Sequence, residues 1–236
     1  MTQTRREKLR EATRQEIMTT AWKQIGEVGA AGLSLRGIAR EMGMTAPGLY
    51  RYYQDRDALV TVLLIDAFES FGLALETARD GFEMHDHAGR FRSICKAYFQ
   101  WGVANPQKYV LLFGTPISGY QFSQEVGPSA QKSFLVLQGV LGEAHTAGKI
   151  GGEAAAMHLP TNLEAQYQVL QKMGMPYRPL VTHLALSSWN TIHGLTSLFL
   201  YGYSRGFLGE QVEAFVDCEI ERLVNTLGLE GGKNHD

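Results

Sequence analysis

The sequence lacks several features that mark common classes of protein. It has only two cysteines, Cys95 and Cys218, which are far apart and each lie within a helical pattern. This excludes a disulfide-rich scaffold and favours two reduced thiols. The first residues are too charged for a signal peptide, and we find no apolar run long enough to span a bilayer. We therefore expect a cytoplasmic protein with no membrane partner.

The sequence also lacks the alternation of apolar and polar residues that β-strands show. Beyond Asp57 the apolar residues keep helical spacing. With 236 residues, 44% of them hydrophobic, the chain can bury a substantial core. No glycine-rich phosphate loop followed by Lys-Ser/Thr comes after a strand, which excludes P-loop nucleotide hydrolysis. These absences predict an all-α protein.

Positive charge is concentrated at one end of the chain. The net charge is −2, but residues 1–60 contain ten Lys/Arg against seven Asp/Glu, and the remaining residues contain twelve against seventeen. Several of these basic residues lie near the start of a helix predicted at 5–28. A run of charge is usually a solvated face, but this one coincides with the motif described next, which favours DNA binding.

Residues 33–59, LSLRGIAREMGMTAPGLYRYYQDRDAL, predict a helix-turn-helix. Ser34 is a good N-cap for a first helix, and Gly43 can end that helix in the left-handed conformation. Thr45 caps a second helix, and Asp55 caps the helix that follows. In this motif the second helix enters the major groove of DNA. A helical hairpin that merely packs has the same pattern and, on the motif alone, is an equally good interpretation.

The second helix has chemically distinct sides. Leu49 and Tyr53 face inward, whereas the outer side carries small residues, tyrosines and arginine but no acid. Small residues let the backbone approach base edges, and tyrosine and arginine suit phosphate oxygens. The outer residues and the start of the next helix are Thr45, Ala46, Pro47, Gly48, Tyr50, Arg51, Tyr52 and Arg56.

A basic first helix followed by S-L-R-x-I-A-R-E-M-G-M-T-x-x-x-L-Y-R-Y-Y-x-D-R-D-A-L resembles the DNA-binding domain of TetR/AcrR-family bacterial transcriptional regulators, over about residues 10–62. The resemblance implies a homodimer with an N-terminal three-helix bundle and a larger helical ligand-binding and dimerisation domain. It also implies repression of nearby genes, released by a small molecule. The positions that match frequent DNA contacts in the family are Arg36, Thr45, Ala46, Pro47, Gly48, Tyr50, Tyr52 and Arg56. Arg51 stands where relatives often carry an aromatic residue.

A second resemblance lies in SSWNTIHGLTSLFL, where Trp189, His193 and Gly194 are similar to the W-x-x-x-H-G signature of the WHG subgroup of TetR C-terminal domains. Trp189 and His193 are four residues apart and therefore share one helix face. A buried histidine that holds two helices together is favoured over a ligand contact by about two to one.

The family's ligand site implies a mostly apolar cavity in the C-terminal domain. Few buried charges are foreseen there, which favours an apolar or aromatic inducer and no cofactor or metal. Such aromatic and methionine positions also fit an ordinary core. The candidate lining residues are Phe68, Tyr98, Trp101, Tyr109, Phe113, Phe122, Phe134, Met173, Tyr177, Trp189 and His193.

We predict three parts: a DNA-binding domain at 1–60, a ligand-binding and dimerisation domain at 61–230, and a flexible tail at 231–236. The last two predicted helices carry more apolar residues than one helix face needs, so a four-helix interface about a two-fold axis is expected. The helices after the N-terminal three are predicted at 56–80, 88–104, 106–113, 119–125, 127–147, 161–174, 178–205 and 209–228.

Two enzyme signals have little support. Residues 202–206 fit G-x-S-x-G, but the nucleophile Ser204 would need a strand-to-helix turn, and no strand is predicted. His85 and His87 could bind a metal, but no thiolate or carboxylate cluster accompanies them. We therefore expect a ligand-responsive repressor that binds near-palindromic operator DNA as a dimer. A ligand-binding protein without DNA function and an enzyme dependent on Ser204 are the alternatives.

Overall fold

The computed structural model describes residues 4–172, 176 and 178–229, and in these residues the regular structure is helical with no strand. The all-α prediction is confirmed. Short 3₁₀ turns at Ala30–Gly32, Gln124–Val126 and Gly209–Gln211 join some of the helices. The helices are α1 (Arg5–Val28), α2 (Leu35–Glu41), α3 (Ala46–Tyr50), α4 (Arg56–Asp80), α5 (His87–Ala104), α6 (Pro106–Phe113), α7 (Gly127–Thr146), α8 (Gly152–Ala156), α9 (Thr161–Lys172), α10 (Pro179–Leu200), α11 (Arg205–Leu208) and α12 (Val212–Leu227).

The chain divides into two compact units. The first contains the described residues up to Phe68 together with Asn105–Pro128, and the second contains Glu69–Ala104 with the described residues from Ser129 onward. The predicted functional domains, 1–60 and 61–230, stay a prediction. The predicted tail at 231–236 lies outside the described residues.

The core of the first unit is filled by aliphatic side chains at helical spacing. Ile17 and Ala21 of α1, Ile38 of α2, Leu49 of α3 and Leu59 of α4 are completely buried. Helix α2 packs against both α1 and α3. Burying a leucine or isoleucine side chain contributes about 1.5–3 kcal/mol, so these five positions hold the short helices α2 and α3 in place.

Helix α6 belongs to the first unit through a polar network. Asp66 of α4 accepts hydrogen bonds from Trp22 Nε1 of α1 at 3.2 Å and from Lys108 Nζ of α6 at 2.8 Å. The Lys108 ammonium also lies 5.4 Å from the ring centroid of Trp22, within the range of a cation–π interaction. Asp66 therefore connects three helices.

In the second unit, α5 lies between α10 and α12. Phe91 and Ile94 of α5 and Ile192 of α10 fill the space between the helices. At the edge, Arg92 donates to Glu221 at 2.6 and 2.8 Å, which adds a bidentate ion pair between α5 and α12. Helix α9 packs against α10, and α8 packs against α12.

Helix α4 corrects one expectation from the sequence. It is the one helix in the described part of the chain that is long and apolar enough, by length and composition, to cross a bilayer. More than half of its apolar window is buried inside the protein. The buried side includes Leu63, Phe71 and Leu75, each fully buried, so the apolar character of α4 reflects its place in the core.

Two predicted helices have different bounds. The helix predicted at 119–125 is wrong: residues 120–123 have no regular structure, and only the 3₁₀ turn Gln124–Val126 forms before α7. Gly119 has a φ of 79°, a conformation that interrupts a helix. The helix predicted at 178–205 ends at Leu200, where Gly202, with a φ of 82°, begins the turn into α11.

Gly43→Ala tests the turn between α2 and α3. Gly43 has a φ of 65°, and a Cβ added there meets no atom within 4 Å, so the substitution changes backbone strain alone. We expect the free energy of unfolding to fall by about 1–2 kcal/mol. The matched control is Gly127→Ala, where the φ of −49° suits any residue and the space is also open. That control should leave stability unchanged or raise it by up to about 1 kcal/mol, as urea unfolding would measure. Equal effects of the two substitutions would contradict this account of the turn.

Candidate DNA-binding surface and C-terminal aromatic cluster

The caps of α2, α3 and α4 set the geometry of the helix-turn-helix. The Ser34 hydroxyl accepts a hydrogen bond from the Gly37 amide at 3.3 Å, and the Thr45 hydroxyl accepts one from the Gly48 amide at 3.2 Å. The Asp55 carboxylate accepts one from the amide of Ala58 at 2.8 Å. Each cap satisfies an amide that has no partner within its helix and so fixes where the helix begins.

Helix α3 turns one side inward and the other outward. Leu49 and Tyr53 are buried, while the Tyr50 side chain is 43% exposed. Most of the other predicted DNA-contacting residues are also accessible. Arg36, Thr45, Pro47 and Arg51 are exposed, and Ala46, Gly48, Tyr52 and Arg56 are half-buried.

The arginines and lysine around this surface have no partner among the described residues. In the part of the chain that the structure describes, no hydrogen bond or ion pair engages the side chains of Arg5, Arg6, Lys8, Arg10, Arg14, Arg36, Arg40 and Arg51. The second unit differs, because most of its cations are paired: Arg79, Arg90, Arg92, Lys96, Lys132 and Arg222 each contact a carboxylate. Unpaired cations on one surface create a field that attracts a polyanion.

An open groove lies between the start of α1 and α3. It has a volume of about 690 Å³ and is lined by Thr4, Arg6, Glu7, Leu9, Arg10, Met44, Gly48, Arg51 and Tyr52. Its one carboxylate, Glu7, accepts hydrogen bonds from the backbone amide of Thr4 at 2.8 Å and from the Thr4 hydroxyl at 3.0 Å. These bonds hold the pKa of Glu7 below its ordinary value. The groove therefore presents three free guanidinium groups to an anion.

Arg56 makes contacts within the first unit that the sequence did not predict, and its phosphate contact stays a prediction. Its guanidinium donates hydrogen bonds to the carbonyl oxygens of Ala30 at 2.9 Å, Leu33 at 3.2 Å and Ala31 at 3.3 Å. These carbonyls belong to the segment that joins α1 to α2. Arg56 therefore ties the start of α4 to that segment, and its donors serve the fold of the first unit.

Replacing Arg56 should test this role. Arg56→Met removes the guanidinium, which donates two partly buried hydrogen bonds and one exposed one, so we expect the free energy of unfolding to fall by about 1–3 kcal/mol. Arg36→Met is the matched control, because Arg36 is exposed and makes no hydrogen bond within the described residues. Its stability should stay within about 0.5 kcal/mol of the original in urea unfolding. If both variants keep full stability, the carbonyl contacts of Arg56 contribute nothing and the phosphate role regains support.

The predicted ligand-lining residues fall into two groups. Tyr98, Trp101, Phe134, Trp189 and His193 lie in the second unit, whereas Phe68, Tyr109 and Phe113 lie in the first, where the Phe113 ring is 6.2 Å from that of Phe68 and 5.1 Å from that of Tyr109. Phe122 is 60% exposed, so its assignment to an enclosed cavity is wrong. The predicted residues Met173 and Tyr177 lie outside the described residues.

Rings in the second unit pack directly on one another. Phe71 of α4 is at the centre of this aromatic cluster and is fully buried. Its ring centroid lies 4.7 Å from Trp101, 4.9 Å from Tyr98 and 5.8 Å from Trp189. Phe134 completes the cluster at 5.8 Å from Trp189. Centroids at these distances are in van der Waals contact, so the cluster is filled by its own side chains.

His193 joins two helices at the edge of the aromatic cluster. Its Nδ1 is 3.0 Å from the Tyr98 hydroxyl of α5, and its Nε2 is 3.3 Å from the Ser197 hydroxyl one turn further along α10. Both ring nitrogens therefore have partners. Burial lowers the pKa of His193 below its ordinary value. This geometry agrees with the structural role that the sequence favoured.

Lowering the pH should reveal the buried His193. Because its pKa in the folded protein is lower than in the unfolded chain, the unfolded chain takes up a proton first as the pH falls. Stability is therefore full above the unfolded pKa of about 6.5 and declines below it. His193→Asn should make the decline shallower between about pH 7 and pH 5 in urea unfolding. The control is His145→Asn, at an exposed histidine of α7. It should show the same decline of stability with falling pH as the original protein. An equally steep decline in the His193→Asn protein would contradict the assignment.

Sequence reasoning missed an open cavity in the second unit. It has a volume of about 680 Å³ and is lined by Leu135, Gln138, Gly139, Gly142, Glu143, Thr146, Ala147, Pro176 and Arg178. The available signal was the pair of glycines three residues apart in helix α7, because such positions share a face.

The structure around Ser204 and around His85 and His87 does not support an enzyme. Ser204 lies in the helix-to-helix turn between α10 and α11, with no strand before it in the described residues. A G-x-S-x-G sequence in this position cannot form the strained turn that a nucleophile requires. No group of three metal-binding side chains gathers around His85, His87 or elsewhere in the described part of the chain.

Comparisons with known proteins agree with this geometry. Residues 17–63 match the model for "Bacterial regulatory proteins, tetR family", and residues 91–223 match that for "Tetracyclin repressor-like, C-terminal domain". The second match includes Trp189, His193 and Gly194. The HTH-type transcriptional regulator Rv1816 of Mycobacterium tuberculosis is 29% identical over 94% of this chain and 95% of its own, and Mb1846 of Mycobacterium bovis gives the same values.

Solved structures show the same fold. The crystal structure of the regulatory protein SCO4313 has a TM-score of 0.75 and 31% sequence identity, and the match covers 94% of this chain and 100% of that chain. The regulator FadR of Bacillus subtilis, solved in complex with stearoyl-CoA, has a TM-score of 0.64 at 14% identity, with coverage of 90% and 98%. The second likeness concerns the fold alone.

Proposed function

Because this chain belongs to the TetR family of bacterial transcriptional regulators, which are not enzymes, we propose that it is a ligand-responsive repressor. It binds a near-palindromic operator as a homodimer in the cytoplasm and leaves the DNA when a small molecule occupies the second unit. The observation that carries the proposal is the set of unpaired cations around the exposed side of α3.

DNA docks with α3 in the major groove. Thr45, Pro47 and Tyr50 reach the base edges and neighbouring sugars, and Ala46 and Gly48 allow the close approach. The groove between α1 and α3 supports a contact with the flanking phosphates through Arg6, Arg10 and Arg51. Phosphate contacts of this kind fix register and give affinity, while the residues of α3 give sequence preference.

Dimerisation uses the last helices. Large apolar side chains are exposed at the end of α10, in the following turn and helix α11, and on α12: Leu198, Tyr201, Tyr203, Phe207 and Phe215. A contiguous apolar surface on a soluble domain is stabilised when a second copy covers it. An interface of α10 and α12 about a two-fold axis places two α3 helices on one face of the duplex, about 34–36 Å apart.

Ligand response follows from linkage. A molecule that binds the operator-free conformation more tightly than the operator-bound one shifts the population towards release. The coupling is reciprocal, so operator DNA weakens ligand binding by the same factor. The second unit offers the ligand site because it contains the open cavity on α7.

The salt dependence of DNA binding tests the proposal. We expect Arg51→Ala to weaken binding to every duplex and to reduce the slope of log K against log salt by about 0.9, and Arg6→Ala with Arg10→Ala to reduce it by about twice that amount. Binding is measured by fluorescence anisotropy on a duplex that the protein selects from a random pool, at several salt concentrations. Lys149→Ala is the matched control, because Lys149 is an exposed cation of the second unit that makes no ion pair with any described residue.

The outcomes separate the alternatives. An unchanged slope in both arginine variants would show that this surface does not bind DNA, and the protein would then be a ligand-binding protein of another kind. A slope that falls equally in the Lys149→Ala protein would indicate nonspecific attraction by the whole chain. Either result contradicts the proposal.

A further inference from the structure

The open cavity on α7 has the size of a small-molecule site. Its volume of about 680 Å³ lies within the range of roughly 300–1,000 Å³ that such sites occupy. Its walls include Leu135, the glycines of α7 and Pro176, so most of the lining is apolar. Among the described residues, none of the aromatic side chains that the sequence suggested for a ligand site contributes to it.

Glycines create the space. A Cβ added at Gly139 meets no atom within 4 Å, which shows that this position faces empty volume. A Cβ at Gly142 would lie 3.0 Å from Nη1 of Arg178. The absence of a side chain at Gly142 therefore lets the Arg178 guanidinium close against the backbone of α7.

Charge in the cavity is unbalanced. Nη1 of Arg178 donates to the carbonyl oxygen of Gly142 at 2.8 Å and to the Thr146 hydroxyl at 3.1 Å, and among the described residues Arg178 has no carboxylate partner. The other charged residue of the lining, Glu143, is paired with Arg90 of α5. The cavity thus has one cation that no internal anion neutralises.

The wall also includes a buried amide with spare hydrogen-bonding capacity. Gln138 is only 4% exposed, and its Nε2 donates to the Thr182 hydroxyl at 2.8 Å. Its Oε1 has no hydrogen-bond partner. A native protein rarely leaves such an atom unsatisfied, because the cost is about 1–3 kcal/mol. A small rotation of the amide would offer this oxygen to a donor group in the cavity.

The aromatic cluster around Phe71 is a weaker candidate. Its ring centroids are separated by 4.7–5.8 Å, so a ligand would have to displace a side chain to enter. Entry into the cavity on α7 requires no such displacement.

We propose that the cavity on α7 binds a small organic anion, with an apolar or aromatic body against Leu135 and Gly139 and a carboxylate or similar head at Arg178. That this anion is the effector rests on the proposed function. The binding itself does not, because it is measured on the protein without DNA.

Two fluorescent probes that differ in charge test the site. The anion 1-anilinonaphthalene-8-sulfonate and its neutral analogue N-phenyl-1-naphthylamine share the same aromatic body. Gly139→Leu fills the cavity and should weaken binding of both probes at least about tenfold. Arg178→Gln should weaken only the anionic probe, by about tenfold or more, because it removes a charge-assisted contact. Gly127→Leu, at an open glycine at the start of the same helix and outside the cavity, is the matched control and should bind both probes normally.

Three results would overturn the proposal. Unchanged binding of both probes to the Gly139→Leu protein would place them elsewhere and overturn the proposal. Equal loss of both probes in the Arg178→Gln protein would show that Arg178 only supports the fold, which overturns the anionic class. If Gly139→Leu converts a dimer to a monomer in sedimentation, this face is an interface between copies, and the proposal fails.

Folding and the proposed function are checked on the same proteins. All three variants should bind the selected duplex within about twofold of the original in the absence of a probe. Gly139 and Arg178 lie in the second unit, and Gly127 is not among the predicted DNA contacts. A protein that loses probe binding but keeps DNA binding supports the cavity. Probe binding that persists in an original protein unable to bind any duplex would refute the proposed function and leave the binding site intact.

Discussion

The three hydrogen bonds from Arg56 to the carbonyls of residues 30, 31 and 33 are the contact on which the candidate DNA-binding surface depends. They attach the first turn of α4 to the segment between α1 and α2, and α2 in turn supports α3 through their shared aliphatic core. Helix α3 is only five residues long and has too few internal hydrogen bonds to be stable alone. Its position is therefore set by its neighbours, and Arg56 fixes where those neighbours stand relative to α4.

The local signals in the sequence were sufficient for the helix-turn-helix. Ser34, Thr45 and Asp55 act as caps through contacts within three residues, and Gly43 adopts a positive φ whatever surrounds it. Such features depend on the chain's immediate neighbours, so a sequence pattern predicts them. Arg56 shows the limit of this reasoning. Its partners are 23 to 26 residues away, and nothing in a charged residue at a helix start distinguishes a phosphate contact from an internal tie.

Positions outside the helix-turn-helix were harder to predict for the same reason. The sequence pattern of an aromatic residue at helical spacing is the same whether its ring packs on other rings, as that of Tyr98 does, or is exposed to solvent, as that of Phe122 is. The segment before α7 has apolar residues at plausible intervals, yet Gly119 ends the regularity and no helix forms there. The cavity on α7 was invisible because it is defined by missing side chains at Gly139 and Gly142 and by an arginine that is far from them in sequence. No sequence pattern indicates a cavity that is formed by the lack of side chains.

The place of that cavity bears on how a ligand could influence DNA binding. Lys132 of α7 forms an ion pair with Glu76 of α4 at 2.9 Å, and its stem lies against Gly72. A displacement of α7 therefore acts directly on the second half of α4. Helix α4 contributes Leu59 and Leu63 to the core of the first unit and Phe71 and Leu75 to that of the second. A continuous helix transmits displacement along its axis because its backbone hydrogen bonds resist stretching. In the function proposed above, a ligand bound on α7 would act through α4 and would need no contact with the operator.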